Sequence, residues 1–312
     1  MDKKYLKIVS LNISEKKGTI KTPREELQLI PEGIKGDAHA GKWHRQISLL
    51  ADESIKSFES KLGRPINHGE FAENITTKGF EVHKTKPFDR FISDKVELEV
   101  TQIGKKCHGE NCEIFQQTGS CIMPTEGIFC RVIRPGKLTK ETVLEYVPKT
   151  FRIKVITLSD RAFEGIYKDK SGPLTEKLSK DWFSDKGYLC ETSRTVIPDE
   201  IPELEKELES ALAENFDIIY TTGSTGIGPR DIAHNVISRF IDFEIPGIMD
   251  MIRLKYGAEK PNALLSRSVA GVKNKTLVFS LPGSTKAVNE YLKEIHTIVI
   301  HSFLMMHSID SH

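Results

Sequence analysis

The sequence predicts two domains, a mostly β domain over residues 1–149 and an α/β domain with a mainly parallel sheet over residues 150–312. The chain has 312 residues, and single hydrophobic cores rarely grow beyond about 250–300 residues. Apolar runs before Pro148 are short and separated by turn residues, whereas strand and helix patterns alternate after it. Such alternation is typical of a parallel sheet covered by helices.

The first half is predicted to consist mainly of short strands. Gly-, Pro- and Lys-rich turns separate them, which favours a barrel-like β domain. The strand patterns and the single helix pattern are, in order, Leu6–Val9, Gln46–Leu50, Asp52–Leu62 (helix), Val96–Thr101 and Gly127–Ile133.

In the second half, helix patterns separate successive strand patterns. This order predicts helices on both faces of the sheet, in three layers. The strands are predicted over Ile153–Leu158, Leu189–Val196, Asp217–Thr222 and Thr276–Leu281. Helices are predicted after Gly172–Pro173, over Ile201–Asn215, from Asp231, and as one long helix with an apolar stripe from Val288 to Phe303.

The overall charge argues against nucleic acid and membrane partners. Lys and Arg number 45 and Asp and Glu 44, a formal charge of +1, whereas binding to anionic polymers or lipids needs clustered basic surface. No apolar run approaches the roughly 20 residues of a membrane span, and no secretory signal pattern is visible. We therefore expect a cytoplasmic protein, whose five cysteines are thiols or metal ligands rather than disulfides.

The most informative stretch is Tyr220–Asp231, with the sequence YTTGSTGIGPRD. It follows a predicted buried strand, the usual position for ligand binding in open α/β sheets. Its glycines permit close approach of the backbone, and its hydroxyl and N–H groups can bind phosphate oxygens. It matches neither a P-loop nor G-x-G-x-x-G. A tight turn followed by a helix cap is the alternative interpretation.

Polar and small residues also lie at the ends of the other predicted strands and at the start of one predicted helix, and residues 265–268 add a further polar group. Each could be a cap or a turn alone, but together they predict a ligand site along one edge of the sheet. They are Ser159-Asp160-Arg161, Asp169 with Ser171-Gly172-Pro173, Pro198-Asp199, Ser266-Arg267-Ser268 and Pro282-Gly283-Ser284.

On these residues, in this order and spacing, the second half resembles the MogA/MoaB family of molybdopterin adenylyltransferases, including the related domain of gephyrin-type proteins. The resemblance begins near residue 152 and continues to the end of the chain. One departure is Ser224, where many relatives carry a second glycine.

The resemblance implies transfer of AMP from ATP to the terminal phosphate of molybdopterin. The attacking group is already an anionic oxygen, so alignment and charge neutralisation by Mg²⁺ suffice. Asp199 and Asp231 are the expected catalytic and Mg²⁺-binding residues; the alternatives are a turn aspartate and a helix N-cap. A homotrimer is also implied. The residues expected to bind pterin and ATP are Ser159, Asp160, Ser171, Gly172, Thr222, Gly223, Ser224, Thr225, Gly226, Ser266, Arg267, Pro282, Gly283 and Ser284.

The first half resembles the MOSC domain, which also occurs in molybdenum-cofactor sulfurases. The resemblance implies binding of sulfur or of the molybdenum cofactor, and pyridoxal phosphate binding is a further property associated with the family. The residues that carry it are Ser14–Lys21, Gly36–His39, Gly69–Asn74, Val100–His108 and Cys121–Arg131.

Cys107 is the expected functional residue of this half. Lys105, Lys106 and His108 flank it and would stabilise a thiolate, which can carry a persulfide or ligate molybdenum. Cys112 and Cys121 are expected to assist, and His39 to line an anion pocket. A zinc site of Cys107, His108, Cys112 and Cys121 is disfavoured, since the C-x2-C spacing usual in structural zinc sites is missing. Buried thiols without a role are the remaining alternative.

Together the two halves predict a bifunctional enzyme of molybdenum-cofactor biosynthesis. The second domain would adenylylate molybdopterin, and the first would bind, sulfurate or hand on the cofactor, with molybdenum-insertion or sulfur-donor proteins as partners. The alternative is a carrier or scaffold that binds the cofactor without turnover. Use of tungsten instead of molybdenum is open.

Overall fold

The computed structural model describes residues 3–106 and 121–309. The chain divides into two compact units. The first contains the residues up to Lys149 together with those from Ser308 onwards, and the second runs from Thr150 to His307. Within the described ranges, no helix combines the length and the apolar character that crossing a membrane requires.

The first unit is mostly β. A short 3₁₀ helix covers Val82–Lys84, and one α-helix, α1, covers Asp52–Leu62, the range predicted from the sequence. The strands are β1 Lys4–Ile13, β2 Thr22–Arg24, β3 Glu26–Ile30, β4 Gly33–Ile34, β5 Ile47–Ala51, β6 Ile75–Lys78, β7 Arg90–Ile92, β8 Glu97–Ile103, β9 Ile128–Arg134, β10 Gly136–Thr139 and β11 Val143–Val147.

Among the described residues, seven of these strands close into a barrel in the order β11-β7-β8-β9-β5-β6-β1. Closure comes from antiparallel pairing of β1 with β11, in which Lys4 lies opposite Tyr146 and Lys7 opposite Val143. β2 pairs with the other end of β1, and β10-β3-β4 form a small separate sheet. The prediction of a mostly β, barrel-like domain is therefore confirmed.

The second unit alternates strands and helices. It also contains a 3₁₀ helix over Pro261–Leu265. Its strands are β12 Thr150–Leu158, β13 Leu189–Ile197, β14 Ile218–Thr222, β15 Phe243–Glu244, β16 Ala270–Lys273 and β17 Thr276–Leu281. Its helices are α2 Asp160–Phe163, α3 Ser171–Asp185, α4 Ile201–Ala213, α5 Ala233–Phe240, α6 Pro246–Gly257, α7 Thr285–Ile295 and α8 Val299–Met306.

These strands form one sheet in the order β13-β12-β14-β17-β16-β15. The first four are parallel, β16 pairs antiparallel with β17, and β15 pairs antiparallel with β16. The register aligns the carboxyl ends of the parallel strands, with Leu158 opposite Ile197 and Thr222 opposite Leu281. The mainly parallel sheet agrees with the prediction, and its four aligned strand ends define the edge where the candidate site lies.

Two groups of helices pack on this sheet. α4 and α5 contact each other and share a buried cluster with β12, β14 and β17 that includes Leu204, Val236 and Ile219. α3, α6 and α7 form the second group, in which α3 and α6 each contact α7. The three-layer arrangement expected from the sequence goes beyond these contacts and stays a prediction.

The single long helix predicted over the last apolar stripe is wrong. The structure has two helices, α7 and α8, separated by His296–Ile298. Thr297 is the physical reason, because its hydroxyl donates to the carbonyl oxygen of Glu294 at 2.6 Å and its own N–H bonds the same oxygen at 3.1 Å. This tight turn replaces the i to i−4 bonding that a continuous helix requires.

Candidate functional site

Two aspartates lie side by side where β12 and β13 end. The Asp160 N–H donates to Asp199 Oδ2 at 3.1 Å, and the Asp199 N–H donates to Asp160 Oδ1 at 2.9 Å. Each carboxylate thus fixes the backbone of the other residue, which follows from the parallel pairing of the two strands. The sequence prediction that these strand ends lie together agrees with this geometry.

Arg230 joins these two strand ends to the loop after β14. Its Nη2 donates to both carboxylate oxygens of Asp160 at 2.8 Å, its Nε to Oδ2 at 3.1 Å, and its Nη1 to Glu200 at 2.8 Å. The Asp199 N–H and then Arg230 lower the pKa of Asp160. Burial instead raises the pKa of Asp199. Of the two carboxylates, Asp199 is therefore the one whose charge is less compensated.

The loop after β14 passes very close to the neighbouring strands. Gly223 has φ +96°, and a Cβ atom there would lie 2.3 Å from the carbonyl oxygen of Leu158. Gly283, which follows β17, also lies close to Gly223, since a Cβ atom on Gly283 would lie 3.4 Å from the Gly223 Cα. Only glycine satisfies the conformation and the space at position 223.

Ser224 stands in the left-handed region with φ +56°, which costs a non-glycine residue about 1 kcal/mol. Its hydroxyl offsets this cost: Oγ donates to the Arg230 carbonyl oxygen at 3.0 Å and accepts the Ile232 N–H at 2.8 Å. The serine that departs from the family's glycine therefore fits, and it ties the two ends of the loop together.

Asp231 closes the same loop from within. Its Oδ2 accepts the Gly228 N–H at 2.7 Å, and a Cβ on Gly226 would lie 2.7 Å from that oxygen. α5 begins at Ala233, two residues later than predicted, and its N-cap residue is Ile232. Asp231 is thus a turn-closing carboxylate, and the alternative interpretation of it as a helix N-cap is wrong.

Ser171 and Thr222 are buried behind the loop. Their hydroxyl groups lie 2.6 Å apart, and Ser171 also donates to Asp169 at 3.0 Å. The Gly172 N–H donates to the same carboxylate at 3.1 Å. These groups connect the start of α3 to the end of β14, so they stiffen the base of the candidate site.

Ser159 and Ser284 cap helices at the same sheet edge. The Ser159 hydroxyl accepts the Ala162 N–H, and the Ser284 hydroxyl accepts the Ala287 N–H, both at 3.2 Å. These caps place the N-termini of α2 and α7 beside the ends of β12 and β17. Both serines therefore have a structural function besides any contact with a ligand.

A cavity of about 230 Å³ adjoins the loop. Four predicted residues line it, namely Thr225, Gly226, Ser266 and Pro282. The Arg267 N–H donates to the Thr225 carbonyl at 2.8 Å, while its guanidinium group bonds Asn235 at 2.7 Å. The remaining lining residues are Ile252, Tyr256, Asn262, Ala263, Leu265, Ala287, Glu290 and Tyr291.

Sequence reasoning missed Tyr256 and Tyr291 because aromatic residues on amphipathic helices are usually read as core. In the structure the Tyr291 hydroxyl donates to Ser266 Oγ at 3.1 Å, and the Tyr256 hydroxyl donates to Glu294 at 2.9 Å. A tyrosine hydroxyl on an otherwise apolar helix face needs a polar partner, and this is a signal that could have drawn attention to both residues.

In the first unit, the structure describes only part of the expected sulfur site. Cys107 and Cys112 lie outside the described residues, as does the zinc alternative that includes them. Cys121 is half-buried and packs beside the small cluster of Ile122 and Met123. His39 is half-buried and stacks on Trp43, with ring centroids 6.3 Å apart.

His39 borders a buried ion pair. Lys21 Nζ and Asp37 Oδ2 lie 2.5 Å apart, and both side chains are fully buried. Asp37 also accepts hydrogen bonds from Asn74 Nδ2 at 2.9 Å, from the Ser14 N–H at 3.2 Å and from the His39 N–H at 2.9 Å. Burial raises the pKa of Asp37, but His39 and Lys21 outweigh it and hold that pKa far below its usual range.

Within residues 3–106 and 121–309, no group of three or more His, Cys, Asp or Glu side chains could hold a metal ion by itself. Mg²⁺ needs less from a protein, since one or two carboxylates suffice when waters and phosphate oxygens complete its shell.

Two family models match the chain in the same order as its two units. The MOSC domain matches residues 36–145, and the probable molybdopterin binding domain matches residues 154–301. The chain is also 32% identical over 148 residues to the molybdopterin adenylyltransferase of Helicobacter pylori, covering 47% of this chain and 82% of that protein. The chain belongs to the molybdopterin binding domain family.

Longer relatives contain the same domain. The chain is 34% identical over 169 residues to the molybdenum cofactor biosynthesis bifunctional protein of Chlorobaculum tepidum, covering 54% of this chain and 51% of that protein. It is 33% identical over 162 residues to gephyrin of Dictyostelium discoideum, covering 50% of this chain and 22% of gephyrin. The chain thus spans about half of one relative and about a fifth of the other.

Close packing at Gly223 of the molybdopterin binding domain predicts a large effect of adding a methyl group. We expect Gly223→Ala to lower the free energy of unfolding by about 2 kcal/mol more than Gly165→Ala. Gly165 is the matched control, because it has φ +76° but nothing within 4 Å of a Cβ position. Denaturant unfolding, followed by Trp182 fluorescence in a Trp43→Phe background, measures the free energy of unfolding of both variants. Equal losses in Gly223→Ala and Gly165→Ala would contradict the prediction and show that Leu158 moves away without cost.

Proposed function

We propose that the second unit transfers AMP from ATP to the terminal phosphate of molybdopterin. A phosphate oxygen of the pterin attacks the α-phosphorus of ATP; the new P–O bond forms as the bond to pyrophosphate breaks, and pyrophosphate leaves. The observation that carries this proposal is the joining of three strand ends by Asp160, Asp199 and Arg230 beside the Thr222–Gly226 loop. The named relatives support it, since one is a molybdopterin adenylyltransferase.

In this proposal the residues of the site align and neutralise charged groups rather than form a covalent bond. Ser159, Ser224, Thr225 and the backbone of the loop bind phosphate oxygens, together with the N-terminus of α7, which Ser284 caps. Burial raises the pKa of Cys190, the cysteine of this half, to about 11, so its thiol stays protonated near neutral pH. A cysteine nucleophile has no support.

The donor set fits Mg²⁺, because carboxylates and hydroxyls are the protein ligands that a hard cation prefers. Asp199 and Asp231 would hold it, and when bound it would supply positive charge to the triphosphate. Arg230 forms ion pairs with Asp160 and Glu200 and acts on Asp199 only through its charge, which leaves the Asp199 carboxylate for this function.

For the first unit we propose that it binds, sulfurates or hands on the cofactor, through Cys107 with Cys112, Cys121 and His39. The predicted domains 1–149 and 150–312 would then have separate functions. Four further properties stay predictions. They are assembly as a homotrimer through the second unit, three layers in that unit, a cytoplasmic location, and partners that insert molybdenum or donate sulfur.

The test is incubation of the full chain with molybdopterin, ATP and Mg²⁺, followed by assay of pyrophosphate. We expect one pyrophosphate released for each adenylylated pterin formed, with no release when Mg²⁺ is chelated. Binding of molybdopterin without any release of pyrophosphate would contradict the proposal and support a carrier protein.

A further inference from the structure

Arg230 bonds carboxylate groups of the protein itself. Its guanidinium group donates three hydrogen bonds to Asp160 at 2.8–3.1 Å and one to Glu200 at 2.8 Å. A guanidinium group has five N–H donors, so these two carboxylates use most of them. The arginine that joins the strand ends of the candidate site therefore has few donors left for a substrate.

The carboxylates around Arg230 carry more negative charge than one arginine neutralises. Asp160, Asp199 and Glu200 lie together after β12 and β13, and Arg230 forms ion pairs with the first and the last of them. Burial is the main cause that raises the pKa of Asp199; the charge of Asp160 adds to this rise, and the charge of Arg230 opposes it. The electrostatic effect of Arg230 thus extends beyond the two residues that it bonds.

This charged group lies beside the loop that binds phosphate oxygens in the proposed function. The Arg230 carbonyl oxygen accepts a hydrogen bond from Ser224 Oγ at 3.0 Å, so the residue that neutralises the carboxylates is fixed to that loop. A triphosphate that approaches the loop meets the negative charges of Asp160 and Glu200, and like charges at short range repel each other. Without Arg230, nothing in these ion pairs would offset the repulsion.

We propose that Arg230 is a positioning residue for ATP, which neutralises Asp160 and Glu200 so that the triphosphate can reach the loop. Arg230 acts through these two carboxylates and does not bond the substrate itself. The inference rests on the proposed function, because it assigns a role in the same site to a residue outside the expected substrate and metal ligands. It also makes Asp160 the ion-pair partner of Arg230 instead of the substrate ligand that the sequence predicts.

The test removes the positive charge alone and then together with the negative charges that it neutralises. Arg230→Gln removes the charge, Arg230→Lys keeps it without the planar fork, and the triple variant D160N/E200Q/R230Q removes all three charges. Arg239→Gln is the matched control, because Arg239 is an exposed arginine of α5 whose Nε donates to the backbone carbonyl oxygen of Asn235 at 3.0 Å. Exposed ion pairs contribute little to stability, so every variant should keep the thermal midpoint of the wild type.

Equilibrium binding of Mg²⁺–ATP is measured for each protein at low ionic strength, without molybdopterin, so that no AMP is transferred. We expect Arg230→Gln to lose about tenfold in affinity, and the triple variant to return to within about threefold of the wild type. Arg230→Lys should lose less than about threefold because the charge persists, and Arg239→Gln less than about twofold. Added salt should reduce the loss in Arg230→Gln, since it screens the repulsion.

Unchanged affinity in Arg230→Gln would overturn the inference. A triple variant that binds as weakly as Arg230→Gln would overturn it as well, because Arg230 would then contact ATP directly. Addition of molybdopterin to the wild type tests the proposed function separately. Regained affinity in the triple variant, without release of pyrophosphate by the wild type, would leave the inference standing and refute AMP transfer. Release of pyrophosphate by the wild type, with unchanged affinity in Arg230→Gln, would do the reverse.

Discussion

Replacing Asp199 or Asp231 by asparagine is expected to lower the rate of AMP transfer at least about 100-fold while leaving molybdopterin affinity within about twofold. Asparagine keeps the size and one acceptor oxygen of the side chain, so the hydrogen bonds to Asp160 N–H and Gly228 N–H can persist. What it removes is the negative charge that the proposed mechanism uses to hold Mg²⁺ and orient the triphosphate, and the loss of one such preorganised group typically costs a factor of 10² to 10³.

Pyrophosphate release under saturating Mg²⁺–ATP measures this effect, and binding without ATP measures pterin affinity. Asp250→Asn is the control, because Asp250 is an exposed aspartate of α6 that pairs with Arg253 on the surface. Unchanged turnover in both site variants would remove the two aspartates from the mechanism. Loss of pterin affinity equal to the loss of rate would instead assign them to pterin binding.

Replacing Asp37 by alanine is expected to lower the free energy of unfolding of the first unit by about 3–5 kcal/mol. The reason is that Lys21, whose side chain is fully buried, would lose its counter-ion at 2.5 Å. The double variant Lys21→Met/Asp37→Leu should be less destabilised than Asp37→Ala, because it buries no unpaired charge.

Each unit contains one of the two tryptophans, Trp43 in the first and Trp182 in the second. Denaturant unfolding of a Trp182→Phe background therefore reports on the first unit. Asp94→Ala is the control, since Asp94 is an exposed aspartate of the same unit. A loss for Asp37→Ala no larger than for Asp94→Ala would contradict the prediction.

The same pair predicts a dependence on pH. The pKa of Asp37 is lowered in the folded state, so its ionised form contributes stability above its unfolded value of about 4. That contribution is lost as the pH falls below about 4, towards the folded pKa. Asp37→Ala should lack this acid-dependent loss.

Helices and strands with a regular pattern of apolar residues were predicted from the sequence. The helix Asp52–Leu62 and the strand Thr276–Leu281 have the predicted bounds. Short strands such as β3 and β10 were not predicted, because four or five residues carry little periodic signal and their pairing joins positions more than 100 residues apart. The break between α7 and α8 depends on one side-chain hydrogen bond of Thr297, which an apolar stripe does not reveal.

The sequence predicted those features of the candidate site that follow from the parallel order of its strands. Strand ends meet at one edge, so Asp160 and Asp199 were expected to lie close together. The bonds of Arg230 to Asp160 and Glu200 depend on the path of a loop, which local sequence does not specify. Lys21 was also unforeseen as a buried residue, because charged side chains are almost always exposed unless a distant partner neutralises them.

Closure of the barrel has a consequence for the order of synthesis. Its first strand, β1, must pair with its last, β11, and these lie about 140 residues apart in the chain. The first unit therefore cannot complete its fold until the ribosome has made Val147, and β12 begins at Thr150. Such long-range pairing comes late in folding, so a nascent chain should expose unpaired strands of the first unit until β11 has been made, and exposed strand edges of this kind are prone to aggregate.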